Sequence, residues 1–438
     1  MISGLWERND PMSQVTRREL AQGVWLRTVH TNKFKSSYLS VTFLVPLEEE
    51  TASENALIPY VLRRGTAACP DLESLSARLD SCYGGSVEPV VRKKGETQCL
   101  GFVAGFLDDA YTLEGESVLE QAIPLVGELL LDPVTERGRF RSAYVKGERD
   151  NMVDRIRSQI NDKRRYALMR LGSLMCQGED YGVDRLGDEA RTTAVTPDSL
   201  WQRYQELLHS AWVEIYYCGS AEPERVEQLL RRALAPLLEQ GQRSFPACQV
   251  RAHGAQPPRY EVERMDVTQG KLALGFRTGG LTCWSPEFPA LLLCNAVFGG
   301  STLSKLFLNV REKLSLCYYA SSMLEKMKGL VLVSSGIEFD KVDTAREEIL
   351  AQLDAIRAGQ VEDGELEGAR RSLISAYRAT LDSQSQLEEY WLGQAAAGME
   401  VEPQQLAALL EGVTLEQVRQ AAEKLELDTM YFLTGLEE

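Results

Sequence analysis

The most informative stretch of this chain lies at residues 297–318 and reads VFGGSTLSKLFLNVREKLSLCY. Two glycines occur near its start, apolar residues at helical spacing follow, and Arg311-Glu312-Lys313 comes after the predicted helix. Tyr318 comes seven residues after Arg311. An arginine presents a fixed fork of donors to carbonyl oxygens, and a phenol presents one well-directed donor. By residue type alone, Arg311 is also explained as a solvated charge at a helix end, and Tyr318 as a core side chain.

The glycine pair and the Ser-Thr pair after it also resemble a phosphate-binding loop. Such a loop requires the spacing Gly-x-x-x-x-Gly-Lys-Ser/Thr, which this stretch does not have. The net charge of −16 argues against nucleic acid, because its binding depends on Lys and Arg neutralising phosphates. No apolar run approaches the roughly 18 residues of a membrane span. We therefore expect neither a nucleic-acid nor a membrane partner.

The nine cysteines are odd in number and scattered, and no two of them form a Cys-x-x-Cys pair. Several lie inside apolar runs, as Cys218 and Cys294 do, which predicts reduced core thiols and neither a disulfide framework nor a zinc cluster. Residues 1–10 contain no apolar core of signal-peptide length. These features predict a cytoplasmic protein.

Sequence landmarks repeat at a nearly constant distance along the chain. Val195-Thr196 opens a predicted helix before an apolar strand that Gly219 closes, and Val413-Thr414 opens a similar helix before a strand that Gly435 closes. The offsets are 218 residues (413 minus 195) and 216 residues (435 minus 219). Two further landmarks recur at offsets of 221 and 220. A duplicated module of about half the chain explains this agreement.

Each half mixes strands and helices, which predicts an α+β protein. The predicted strands are 24–31, 38–45, 87–91, 98–106, 213–217, 271–276, 320–323, 330–337 and 430–433. The predicted helices include 71–83, 139–176, 286–297, 303–310, 343–358 and 364–382. With 438 residues, two domains are expected, at 1–238 and 259–438, joined by a Gly-, Gln- and Pro-rich linker at 239–258.

A duplicated α+β half with a Gly-Thr at Gly65-Thr66 and a Gly-Gly turn at Gly299-Gly300 resembles the insulinase and pitrilysin family of zinc metallopeptidases. The resemblance covers nearly the whole chain and points to the branch of the mitochondrial processing peptidase and its bacterial relatives. It implies two homologous domains in a clam-shell arrangement, each an antiparallel or mixed sheet covered by helices.

Active members of that family carry His-x-x-Glu-His on the first helix, shortly before the Gly-Thr. Two histidines four residues apart lie on one helix face and bind zinc, while the glutamate activates the metal-bound water. Counting back from Gly65-Thr66, the histidine positions are Ala56 and Tyr60, and the glutamate position is Pro59. Alanine has no donor atom, tyrosine is a poor zinc ligand here and proline cannot move a proton. All three roles are therefore absent.

The family's third zinc ligand is a glutamate on a later helix, seven residues after another glutamate. With Glu148 as the leading glutamate, Arg155 occupies the ligand position, where its charge opposes zinc. The three histidines, His30, His209 and His253, are far apart in the sequence, and each is interpreted as a surface or partly satisfied side chain. We predict that this chain binds no metal and is not a zinc peptidase by itself.

In the family, the arginine and tyrosine of the second motif face the zinc site across a closed chamber, hold the substrate backbone and stabilise the oxyanion. The resemblance assigns these roles to Arg311 and Tyr318. In paired peptidases one chain keeps the zinc ligands and the other only the Arg/Tyr pair, so a non-catalytic, substrate-binding subunit is predicted. Its expected partners are a zinc-bearing His-x-x-Glu-His paralogue and a peptide or small protein substrate, with a homodimer in isolation as an open alternative.

Two other functions remain open at this point. A scaffold or peptide-holding protein of the same fold would have no proteolytic partner, and the absence of an adjacent gene with the zinc motif would favour it. An independent hydrolase with a Cys or Ser nucleophile would need one of the three histidines as its base. No nucleophile-elbow or Cys-Gly-x-Cys context supports that hydrolase.

Overall fold

The computed structural model describes residues 14–113, 115–239 and 241–436. Residues 1–10, on which the expectation of no signal peptide rests, lie outside that part of the chain. The strands are β1 Gln14–Ala21, β2 Val24–His30, β3 Ser36–Pro46, β4 Ser86–Lys94, β5 Thr97–Leu107, β6 Thr135–Glu136, β7 Arg139–Phe140, β8 Trp212–Gly219, β9 Arg259–Arg264, β10 Gly270–Arg277, β11 Cys317–Glu325, β12 Leu330–Ile337 and β13 Glu426–Thr434.

The α-helices are α1 Ala52–Leu62, α2 Leu72–Ser81, α3 Leu119–Leu131, α4 Ser142–Ser158, α5 Lys163–Met175, α6 Glu189–Ala194, α7 Pro197–Ser210, α8 Pro223–Ala233, α9 Ala235–Glu239, α10 Phe288–Asn295, α11 Val342–Arg357, α12 Asp363–Thr380, α13 Gln384–Ala396, α14 Pro403–Glu411 and α15 Leu415–Glu423. The segments Ala296–Gly300 and Leu306–Lys313 are π-helical. Within the described residues, no helix has both the length and the apolar character needed to cross a bilayer.

The two large sheets share one strand order. The first sheet runs β1-β2-β8-β3-β5-β4 and the second, from its far end, runs β9-β13-β10-β12-β11. In the first, β2 is parallel to β8, and β3 is antiparallel to both β8 and β5. In the second, β9 is parallel to β13, and β10 is antiparallel to both β13 and β12. The α+β class and the duplication are therefore confirmed, with β1 added to the first sheet.

The helices before the two closing strands begin with the same kind of cap. The hydroxyl of Thr196 accepts a hydrogen bond from the backbone N–H of Ser199 at 3.1 Å, and the hydroxyl of Thr414 accepts one from Gln417 at 3.3 Å. In both, the side chain three residues on accepts a bond from the N–H of the threonine, which completes a capping box. The repeated Val-Thr landmarks thus mark equivalent helix starts.

The chain forms two compact units that are not continuous in sequence. Unit 1 consists of the described residues up to Lys93, with Thr97–Ile156 and Arg185–Pro246, and unit 2 consists of Lys94–Glu96, Arg157–Asp184 and Ala247–Glu438. The predicted domains differ in one respect, because they assign residues 94–96 and 157–184 to the N-terminal half. The change of unit after Pro246 falls inside the predicted linker.

A buried ion network holds the two short segments in unit 2. The Lys328 ammonium lies against the carboxylates of Glu96 and, at 2.6 Å, of Glu179. Arg277 binds Glu179 at 2.7 Å and Asp428 at 2.8 Å. Glu96 and Glu179 come from the inserted segments, whereas the two cations come from the strands and turns of the second sheet. Local hydrophobic patterns do not reveal such long-range pairing, so nothing in the sequence indicated that these segments join unit 2.

Helix α5 forms part of the core of unit 2. Its buried residues Leu171 and Met175 pack with Ala273, Leu332 and Tyr431 of the second sheet. The other face of that sheet packs against a separate core that includes residues of α10, α11 and α15. The second sheet is therefore covered by helices on both faces.

Loss of Lys328 should expose how much the ion network stabilises unit 2. In Lys328→Met the Glu96 and Glu179 carboxylates lose a buried partner, so we expect the free energy of unfolding at neutral pH to fall by about 3 kcal/mol. Burial acts to raise the pKa of Glu179, but hydrogen bonds from Arg277 and Lys328 outweigh it and lower that pKa below 4.5. This stabilisation is present above the ordinary Glu pKa and is lost as the pH falls through the lowered one. The difference between wild type and variant should therefore shrink in acid.

Urea denaturation at a series of pH values measures this effect. Lys341→Met is the matched control, because Lys341 forms an exposed pair with Glu338, and a much smaller change is expected. Equal effects of the two substitutions would contradict a special role for the buried network.

The two capping boxes give a second prediction about the duplicated modules. Thr196→Ala and Thr414→Ala each remove one cap, and each should lower the free energy of unfolding by about 1 kcal/mol in chemical denaturation. Thr380→Ala is the control, since this hydroxyl only bonds the Ala376 carbonyl on an exposed helix surface, and a change within about 0.5 kcal/mol is expected. A cap variant that matches this control would show that its capping box contributes little.

Candidate functional site

The glycine pair of the second motif allows a close approach between two elements. A Cβ added to Gly299 would lie 2.6 Å from the backbone nitrogen of Ser322 and 2.7 Å from Cδ1 of Leu306. Ser322 belongs to β11, so Gly299 lets the end of the segment Ala296–Gly300 pack directly against that strand. The glycine is explained by packing, which agrees with the rejection of a phosphate-binding loop.

The segment that carries Arg311 is a π-helix. An α-helix was expected at residues 303–310, but the structure has a π-helix at Leu306–Lys313. At its end the N–H of Leu314 donates to the carbonyl of Asn309, five residues back, at 3.0 Å. Hydrophobic spacing predicts a helix without fixing its hydrogen-bond step, which explains the difference. π-Helical turns are rare and occur frequently at functional sites.

Tyr318 lies in a β-bulge where the chain enters β11. Cys317 pairs with Ile337 and Tyr319 pairs with Gly336, so two residues of β11 advance against one of β12. Tyr318 is the extra residue, and it is 64% exposed. The alternative interpretation of Tyr318 as a core side chain is therefore wrong.

Arg311 lies in the last turn of the π-helix, just before that bulge. Its Cζ is 4.7 Å from the centroid of the Phe307 ring, and its Nε is 3.5 Å from a carboxylate oxygen of Glu312. The side chain remains 40% exposed, so these contacts orient the guanidinium and leave donors accessible. The structure thus places Arg311 and Tyr318 on one helix-to-strand corner of unit 2, both reachable from solvent.

The degenerate zinc positions lie in unit 1, on helices α1 and α4. Ala56 is completely buried, and Pro59 lies inside α1 one residue before Tyr60. The guanidinium carbon of Arg155, on α4, is 3.9 Å from the centroid of the Tyr60 ring. The structure therefore brings together two positions at which active relatives carry zinc ligands. Here they form a cation–π pair.

Glu148, the glutamate seven residues before Arg155, has a structural role. The Glu148 carboxylate is buried and accepts hydrogen bonds from Arg64 at 3.1 Å and from Asn151 at 3.3 Å. Zinc requires nitrogen, sulfur or carboxylate oxygen ligands. A methyl group, a proline ring and a phenol that faces a guanidinium do not supply them, so a zinc ion does not fit these residues.

The thiols are poorly suited to act as nucleophiles. All nine are cysteines without a disulfide bond, and eight of them are buried. Burial raises the pKa of Cys283 to about 11 and of Cys294 to about 12, so both stay protonated at neutral pH.

His253 contacts Glu426 at 3.0 Å on the surface. In the part of the chain that the structure describes, no three His, Cys, Asp or Glu side chains gather as a metal site.

Installing the missing ligands tests the assignment of the degenerate site. In the triple variant Ala56→His, Tyr60→His, Arg155→Glu, two histidines and a carboxylate should converge, and we expect about one equivalent of bound zinc. The double variant Ala56→His, Tyr60→His is the control and should bind zinc more weakly, because it lacks the third ligand. Metal analysis after dialysis and circular dichroism measure binding and folding. If a folded triple variant binds no more zinc than the double, position 155 is wrongly assigned.

Comparisons with known proteins identify a matching family and several relatives. The family model described as "Peptidase M16 inactive domain" matches residues 194–373. The "Probable inactive metalloprotease YmfF" of Bacillus subtilis is 33% identical over 416 residues, which cover 95% of this chain and 96% of that protein. The "Uncharacterized zinc protease YmxG" of the same species is 22% identical over 332 residues, 74% of this chain and 78% of that protein. The crystal structure of a conserved protein from Enterococcus faecalis V583 superposes with a TM-score of 0.88 at 28% identity, covering 97% of this chain and 100% of that one.

Proposed function

This chain belongs to the M16 peptidase family, and on that premise we propose that it is a non-catalytic, substrate-binding subunit of a heterodimeric zinc endopeptidase. The similarity over nearly the whole chain confirms the family that the sequence motifs indicated. One observation carries the proposal. Arg311 and Tyr318 remain exposed at the helix-to-strand corner, whereas Tyr60 and Arg155, at two of the zinc-ligand positions, are in contact with each other.

The chemistry of the corner suits a peptide backbone. Arg311 is a permanent cation with forked donors that fit a carbonyl oxygen or an oxyanion. The Tyr318 hydroxyl adds one directed donor, and the bulge turns it toward solvent. Both donors would act on substrate held in the active site of the partner, whose zinc would activate the attacking water. Stabilising an oxyanion is the step to which such donors contribute most.

The partner in this proposal is a paralogue with an intact His-x-x-Glu-His motif. Bacillus subtilis has both a relative whose name calls it probably inactive and a relative whose name calls it a zinc protease. That pairing of names supports a division of labour between two chains. The buried thiols of this chain support a cytoplasmic location for the complex.

Substitutions at the corner test the proposal in the assembled pair. Arg311→Met and Tyr318→Phe should each lower the turnover of a peptide substrate by about 10²-fold, the order found for loss of one oxyanion donor. Lys313→Met is the matched control for charge, because Lys313 is an exposed cation two residues from Arg311. Met323→Ala, at an exposed position of the same strand as Tyr318, is the control for surface shape.

The measurement uses this chain mixed with the zinc-motif paralogue from its own source, with peptide cleavage and zinc content followed for each chain and for the mixture. Cleavage by the mixture that falls only with the Arg311 and Tyr318 variants supports the proposal. Cleavage that all four variants leave unchanged would refute the role of the corner. A mixture that neither associates nor cleaves would favour the scaffold of the same fold.

A further inference from the structure

A cavity of about 260 Å³ lies within unit 2, away from the corner that carries Arg311 and Tyr318. The loop before α10, the turn between β11 and β12, the end of α13 and the helix α14 form its walls. Its lining is largely apolar and includes Trp284, Phe288, Val401, Leu406 and Leu409. The volume is just below the usual range for drug-sized ligands, which indicates a small occupant.

Lys326 is the one charged residue among those that line this cavity. Its Nζ would be 3.5 Å from a Cβ added to Gly393, and it lies 6.0 Å from the centroid of the Tyr390 ring. Among the described residues, no carboxylate or carbonyl oxygen forms an ion pair or hydrogen bond with this ammonium. The Glu389 carboxylate, which acts on it electrostatically, is engaged by Lys94.

The nearby helix end does not account for the position of Lys326. A cation near a helix C-terminus is usually explained by the unpaired carbonyls there. At the end of α13, however, the N–H of Ala397 donates to the carbonyls of Gly393 and Gln394, at 3.2 Å each. The indole N–H of Trp284 donates to the carbonyl of Ala397 at 2.8 Å. These carbonyls accept hydrogen bonds from other donors, and none of them is hydrogen-bonded to the Lys326 ammonium.

The electrostatic surroundings favour an incoming anion. Burial lowers the pKa of Lys326, and the charge of Lys94 lowers it further, whereas Cys283, Glu325 and Glu389 act weakly in the opposite direction. The Lys326 side chain is half-buried, and an ammonium that is partly removed from water and has no ion-pair partner among the described residues is destabilised relative to one in water. A carboxylate placed against it would restore the charged form and supply the missing hydrogen-bond acceptor.

We propose that this cavity binds a small apolar molecule by its carboxylate, with the Lys326 ammonium receiving the carboxylate and the apolar wall receiving the rest. Two sources share this chemistry, a free short-chain carboxylic acid and the C-terminal residue of a peptide. The site is separate from the corner of Arg311 and Tyr318, and its occupancy does not depend on a zinc-bearing partner.

Isothermal titration calorimetry on the full chain tests the site with two matched pairs of probes. The first pair is 4-methylpentanoate and its amide, and the second is N-acetyl-Gly-Leu with a free C-terminus and with a C-terminal amide. Within each pair of probes, the carboxylate should bind about 10- to 100-fold more tightly than the amide, as expected for a charge-assisted hydrogen bond. Tighter binding of the free acid identifies a metabolite-like source, and tighter binding of the peptide identifies a chain terminus.

Variants of Lys326 separate this interaction from general affinity. Lys326→Met should abolish the preference for the carboxylate over the amide, and Lys326→Arg should retain it. Lys424→Met is the matched control, because Lys424 is an exposed lysine that lines a neighbouring cavity, and it should bind like wild type. A carboxylate preference that survives in Lys326→Met, or no difference between acids and amides in wild type, would overturn the proposal.

Proton uptake provides an independent readout. Because the pKa of Lys326 is lowered before binding and the bound carboxylate favours the ammonium, binding should take up protons, and affinity should fall as the pH rises through the lowered pKa. Calorimetry in two buffers with different ionisation enthalpies measures this uptake. The uptake should vanish in Lys326→Met, and an uptake that persists in that variant would contradict the assignment to this lysine.

Discussion

The central constraint on this fold is that the last strand of each module lies between two earlier strands of its sheet. Strand β8 lies between β2 and β3, and β13 lies between β9 and β10. Val24 therefore pairs with Val213, so the first sheet is complete only when residues almost two hundred positions apart have met. Such pairing carries a large loop-closure entropy, which the apolar and nearly fully buried central strands offset. The edge strands are then the places where the sequence is free to serve a function.

Strand β11 shows how the sheet uses this freedom. It lies at the edge of the second sheet, and among the described strands β12 is its one pairing neighbour. A bulge in a central strand would disturb two ladders, but at this edge it disturbs one and turns Tyr318 outward. The degenerate zinc-ligand positions of unit 1 differ from this exposed corner. Ala56 is part of the core, and Tyr60 packs against Arg155. Positions that carry metal ligands in active relatives are therefore occupied here by side chains that contribute packing.

The sequence was most reliable where local chemistry decides the structure. Thr196 and Thr414 cap the helices that their motifs predicted, and the apolar runs near residues 24–31 and 330–337 form strands. Strands β1 and β9 were not predicted, because most of their residues are polar and at least partly exposed, so no apolar run marks either strand. The ion partners of Lys328 were not predicted either, since no local pattern connects Glu96 with Glu179. Position 155 could be assigned only by resemblance. Its contact with Tyr60 joins two separate helices and is visible only in the three-dimensional structure.

The cavity beside Lys326 had no signal in the sequence at all. A single lysine in a turn is normally a solvated charge, and its environment comes from elements that lie far apart along the chain. The partial burial of Lys326 and its lack of an ion-pair partner among the described residues are properties of the assembled fold. They become visible only when α13, α14 and the loop before α10 have been placed around the side chain.

The location of α5 has a consequence for the covalent integrity of the chain. This helix precedes the predicted linker, yet Leu171 and Met175 belong to the core of unit 2. A protease that cut the backbone after Pro246 would leave α5 attached to the N-terminal fragment and still embedded among the strands of the C-terminal one. The two fragments would stay interlocked, whereas a fragment that begins at Ala247 would lack part of its own interior. Tolerance to nicking and inability to be divided into separate domains thus have the same cause.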